Sequence, residues 1–110
     1  MTNIALNLTN CFLSRNLDVL DKDGKIISKV NVLIGRPEQV DGATWECSYA
    51  IIGLDEIKPC TYKVLGVDGV QALLCAFDVL EGLLTGTDVA IQGKLSWNDR
   101  KSGFLDRPKT

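Results

Sequence analysis

Asp68-Gly69-Val70-Gln71-Ala72-Leu73-Leu74-Cys75-Ala76-Phe77-Asp78-Val79-Leu80-Glu81-Gly82-Leu83-Leu84, residues 68–84, is the stretch whose reading decides the fold. Val70, Leu73, Leu74, Phe77, Leu80 and Leu84 recur at three- and four-residue intervals, the period of an α-helix with an apolar stripe. Asp68 stands just ahead of the run, where a carboxylate accepts from free backbone N–H groups and meets the positive end of the helix dipole. Gln71 follows at capping-box spacing. At the far end Gly86, flanked by Thr85 and Thr87, marks the stop. The spacing predicts one capped helix over residues 68–84.

That helix has more apolar surface than one contact needs. At about 100° per residue, its polar sector holds only Gln71, Asp78, Glu81 and Gly82. A second line, Ala72, Cys75, Val79 and Leu83, runs along the back of the main stripe. A sheet covers one side of a helix, so this line is expected to meet the C-terminal arm or a second copy of the chain. With Trp97, a large side chain set among Ser96, Asn98, Asp99 and Arg100, these four residues form the candidate interface.

Upstream of the helix the period changes to two. Residues 12–20 place Leu13, Leu17 and Val19 opposite Ser14, Asn16 and Asp18, with Arg15 interrupting the apolar face and marking a sheet edge. Asp21-Lys22-Asp23-Gly24-Lys25 reads as a hairpin turn. Residues 26–34 follow, closed by Gly35-Arg36-Pro37, and residues 44–52 alternate Trp45, Cys47, Tyr49 and Ile51 against Glu46, Ser48 and Ala50. After a loop through Pro59, residues 61–67 make a fourth strand, and residues 89–97 a last strand or extended arm. Short connections favour antiparallel neighbours. The expectation is a single α+β domain over residues 1–110. About four strands at 12–67 form an antiparallel meander, packed by one main helix at 68–84, with an extended, partly irregular C-terminal arm at 88–110.

Composition narrows the function classes. A 110-residue chain with 45% hydrophobic and 24% charged residues has room for one core and needs no staple. The first residues have neither a basic start nor an apolar run, and no stretch approaches membrane-spanning length, so a cytoplasmic protein without a membrane is expected. Lys and Arg number seven against twelve Asp and Glu up to Gly93, and five against two beyond it. An acidic body with a basic tail suits a partner with a basic surface better than a nucleic acid, which usually meets a larger basic patch.

Chemistry-bearing patterns are sparse. The chain has no histidine, which removes Ser-His and Cys-His nucleophile arrangements. Cys11, Cys47, Cys60 and Cys75 stand apart with no CxxC pair, so neither a zinc site nor any other metal or cofactor is expected. Asp21-Lys22-Asp23-Gly24 has its glycine fourth and Val32 at the twelfth position, unlike a calcium loop. Asp55 and Glu56, adjacent in a loop, read as solvated acids rather than a catalytic pair.

Three stretches carry a resemblance: Trp45-Glu46-Cys47-Ser48-Tyr49-Ala50-Ile51-Ile52-Gly53, Gly66-Val67-Asp68-Gly69-Val70-Gln71-Ala72-Leu73, and Leu95-Ser96-Trp97 followed by Gly103-Phe104. From about residue 12 onward the chain resembles a family of small bacterial proteins of unknown function. That family has a Trp-x-Cys strand, a Gly-Val-Asp-x-x-Gln-Ala-Leu helix start and a late Gly-Phe-Pro, although Leu105 stands here where the family has the proline. The resemblance implies a bacterial, cytosolic origin and no catalytic residue. The expected function is a non-enzymatic protein-interaction module of adaptor, inhibitor or immunity-protein type that self-associates as a homodimer. The alternative is a small-ligand carrier with its site between sheet and helix near Tyr49, Tyr62 and Phe77.

Overall fold

The computed structural model describes residues 5–97. Strands β1 (Leu13–Leu20), β2 (Ile26–Ile34), β3 (Glu38–Gln39), β4 (Trp45–Ile52) and β5 (Tyr62–Gly66) precede helix α1 (Gly69–Thr85). A short helix α2 (Asp88–Ile91) and strand β6 (Leu95–Ser96) follow. All pairings are antiparallel. The four long strands form the expected meander, β1-β2-β4-β5, and the two-residue strands β3 and β6 bring the sheet to six.

Local chemistry explains the ends of the elements. In the β1–β2 turn the Asp21 carboxylate accepts from the N–H groups of Asp23 (2.8 Å) and Lys25 (2.9 Å), while Gly24 takes φ +83°. Gly53, which ends β4, has φ +107°, and a Cβ there would run into the Lys29 carbonyl oxygen. β2 and β3 lie along the same edge of β4. Asn31–Ile34 oppose Ile52–Tyr49, and Glu38–Gln39 oppose Glu46–Trp45. Gly35 bridges the two strands by donating its N–H to the Ser48 carbonyl at 2.8 Å. β5 takes the other edge of β4, and β6 pairs with β1 through Ser96 and Leu95.

α1 starts as the sequence indicates, with one change in the reciprocal bond. The Asp68 carboxylate accepts from the Gln71 N–H at 2.8 Å, but the Gln71 side chain reaches back to the N–H of Val67 rather than that of Asp68. At the other end Gly86 stays right-handed (φ −81°) and the chain turns directly into α2. Thr87 joins the helices: its hydroxyl donates to the Leu84 carbonyl at 2.8 Å and accepts from the Ala90 N–H at 3.3 Å. The expected strand or arm at 89–97 is therefore a helical turn followed by the short β6, and residues 98–110 of the arm lie outside the described residues.

The helix meets β4 and β5 with a different face from the one its large residues indicate. Ala72, Ala76, Leu80 and Leu84 are fully buried against Val30, Val32, Cys47 and Ile51. Val70 and Leu74, expected beneath the sheet, are 69% and 53% exposed. The cause is a close approach at the start of the helix. Gly66 lies so near α1 that an added Cβ would sit 2.5 Å from the Ala72 nitrogen. Only small residues fit against the strand there, so Ala72 and Ala76 turn inward beside Leu80 and Leu84 of the expected stripe, while Val70 and Leu74 turn away.

Candidate functional site

Two surfaces of the described residues stand out once the core is closed. The first is the outer stripe of α1. Val70, Leu73, Leu74 and Phe77 recur at i, i+3, i+4 and i+7; Leu73 and Phe77 are half-buried against the core, while Val70 and Leu74 stand in solvent. Val67, just ahead of the helix, is 69% exposed as well. The helix carries two acids, Asp78 and Glu81, and no Lys or Arg. An apolar stripe of this length at helical spacing is what a partner helix or apolar strip packs against.

The candidate line from the sequence is divided by the structure. Ala72 is part of the core and unavailable to a partner; Cys75 and Val79 are half-buried, and Leu83 is 39% exposed. Trp97 is half-buried, with the Arg15 guanidinium stacked over its ring at 3.8 Å. Arg15, which breaks the apolar face of β1, thus has an aromatic platform in the same chain. Helical spacing alone does not separate the two stripes; the signal that does is Gly66, six residues ahead of Ala72.

The second surface is the face of the sheet opposite α1. There Glu46, Ser48, Ala50 and Ile52 of β4 floor a cleft of about 820 Å³. Its roof is the N-terminal segment, in which Leu6 donates its N–H to the Thr61 hydroxyl at 2.9 Å and approaches Gly35. That segment is held by its own asparagines. The Asn7 side chain accepts from the N–H groups of Thr9 (2.9 Å) and Asn10 (3.0 Å), and the Asn10 amide donates to the Ala5 carbonyl at 2.9 Å. Charges gather at one end: Lys63 pairs with Glu46 at 3.3 Å, Glu38 faces Glu46 across the strands, and Arg36 lies over the Phe12 ring at 5.0 Å.

The space between sheet and helix, where a carrier site is expected, is occupied. Tyr49 is 7% exposed within the core, Tyr62 stacks on it with ring centroids 5.5 Å apart, and Phe77 packs against the same cluster. A hydrogen bond with Cys60 and partial burial push the Tyr62 hydroxyl above its ordinary pKa, and burial does the same for Tyr49. Burial pushes the Cys47 thiol up to about 11, so it stays protonated at neutral pH and serves as a small core residue with the Gly35 carbonyl 3.4 Å away. Glu56 is not merely solvated: its carboxylate caps α2, accepting from the Asp88 N–H at 2.8 and 3.1 Å. Among the described residues no group of three or more Cys, Asp or Glu is placed to hold a metal ion, and no helix is long and apolar enough to cross a membrane.

A six-stranded antiparallel sheet with one principal helix on one face and a roofed cleft on the other defines a small open-sheet α+β domain. The chain belongs to the family described as Domain of unknown function (DUF6968), whose model matches residues 13–108. No curated protein and no solved structure matches it.

Proposed function

We propose that this chain is a non-enzymatic protein-interaction module. In this reading the outer stripe of α1 receives a partner that presents an apolar strip edged by Lys or Arg. The observation that carries the reading is the exposure of Val70 (69%) and Leu74 (53%), which extend the half-buried Leu73 and Phe77 into one stripe. Large side chains left in water at helical spacing are a surface prepared for contact. The choice of partner follows from charge. Every charged residue from Asp68 through Thr85 is acidic, so a second copy laid along the same stripe brings acids toward acids, whereas a basic edge is attracted.

The test is an NMR titration with two amphipathic helical peptides of one pattern, one built from Leu and Lys and the other from Leu and Glu. The Leu/Lys peptide is expected to shift the amides of residues 67–78, the Leu/Glu peptide to leave them unmoved, and Leu74→Gln to abolish the effect without altering net charge. Equal response to both peptides, an undiminished response in Leu74→Gln, or a wild-type dimer already covering the stripe rejects the reading.

A further inference from the structure

The cleft on the other face of the sheet is independent of the α1 stripe. Alternation along β4 puts Glu46, Ser48, Ala50 and Ile52 on one side of the strand, so its floor grades from charged to apolar over four alternate positions. The charged end has both signs. Glu38 and Glu46 are direct cross-strand neighbours, an arrangement that is unfavourable unless a cation lies nearby. Lys63 pairs with Glu46, whose side chain is only 21% exposed; among the described residues Glu38 forms no ion pair. Arg36 lines the cleft as well, and Pro59 and Leu6 border it. The volume, about 820 Å³, lies within the usual range for small-molecule sites.

We propose that this cleft binds a small zwitterion with an aliphatic body, of the α-amino-acid class. The ammonium group sits between Glu38 and Glu46 and supplies the second cation that this acidic pair lacks. The carboxylate is met by Lys63 and Arg36, and the aliphatic side chain lies on Ala50 and Ile52. Ser48, midway along the floor, offers a hydroxyl to either polar group. The N-terminal segment lies over the ligand and is held by the Leu6–Thr61 hydrogen bond, just ahead of β5.

The probe is L-leucine, titrated into the full chain at neutral pH and followed by amide chemical shifts, with leucinamide and N-acetyl-leucine as the two end-capped controls. Saturable shifts confined to residues 5–10, 46–52 and 59–63 are expected. Capping either end should weaken binding at least tenfold, as should Glu38→Gln and Lys63→Met. Glu38 is an exposed residue of a two-residue strand, so Glu38→Gln keeps the fold, and an unchanged spectrum outside the cleft checks this. The proposal is overturned by an absence of saturable shifts up to about 10 mM, where a millimolar site is nearly filled. It is equally overturned by a capped analogue that binds as well as leucine, or by shifts that map to the α1 stripe.

Discussion

Replacing Leu80 and Leu74 by alanine, one at a time, separates the two faces of α1 by their energetics. Leu80 is fully buried in the core against the sheet, so Leu80→Ala loses the whole transfer term and leaves a cavity. For such sites the loss is about 2–5 kcal/mol. Leu74 is 53% exposed, so roughly half of its side chain has nothing to lose. Full burial of a leucine side chain is worth about 1.5–3 kcal/mol, which sets the cost of Leu74→Ala near 1 kcal/mol. Alanine's better helix propensity reduces that further. Urea unfolding followed by circular dichroism should show the Leu80→Ala midpoint falling far more than that of Leu74→Ala, with the slope m unchanged in both. Equal losses in the two variants would refute the orientation of the helix, since Leu74 would then be buried as deeply as Leu80.

Gly66→Ala forces a Cβ against the Ala72 backbone and should destabilise by about 1–3 kcal/mol, read as a lower midpoint in the same assay. Asp68→Ala removes the carboxylate that accepts from the Gln71 N–H and should cost about 1 kcal/mol, with faster amide exchange in the first turn of α1. Thr87→Val leaves the buried joint between α1 and α2 without its hydroxyl and should cost about 1–3 kcal/mol. Cys47 gives a pH signature. Its thiol is held protonated in the folded state up to about pH 11, while the unfolded chain releases the proton near 9, so stability falls as pH rises through that window. Cys47→Ala should flatten the pH 9–11 part of the stability curve; an unchanged slope would refute the assignment, with Tyr49 and Tyr62 contributing in the same direction at higher pH.

The four long strands were legible because alternation and turn chemistry agree at each of them. Asp21 and Gly24 build the turn their types favour, and Trp45, Cys47, Tyr49 and Ile51 face the helix side as their period requires. β3 was not legible, and of the last strand or arm read at 89–97 only Leu95–Ser96 pairs as a strand; two residues carry no period, and both strands exist because β4 and β1 offer backbone groups to pair with. The helix was legible in extent but not in rotation. Periodicity reports that apolar residues share a face, and α1 has two such faces, so the choice between them depended on Gly66 and on a tertiary contact that no local pattern contains. The role of Glu56 was hidden for the same reason: its partner, the Asp88 N–H, is thirty-two residues away. Of the cleft, the sequence showed the polar face of β4 but not its roof, which depends on Leu6 reaching Thr61 across fifty-five residues.

The close contact at Gly66 also bears on why a surface stripe exists at all. A helix packed by leucines stands about 10 Å from a sheet and spreads its apolar residues over that contact. Here the start of the helix lies with the Ala72 backbone against Gly66, and the contact is completed by few large side chains, chiefly Leu80 and Leu84. Val70 and Leu74 are then in excess of what the fold requires, while Leu73 and Phe77 are shared between core and surface. The exposed halves of Val70 and Leu74 add little to stability, so polar residues there would cost the fold only modestly. Large apolar groups at these two positions fit a second contact. A Val70→Gln, Leu74→Gln chain should therefore still fold, losing at most about 1 kcal/mol per site, and yet fail to bind the basic amphipathic peptide. Loss of the fold in that variant would show that the stripe belongs to the core and would remove the ground for a partner.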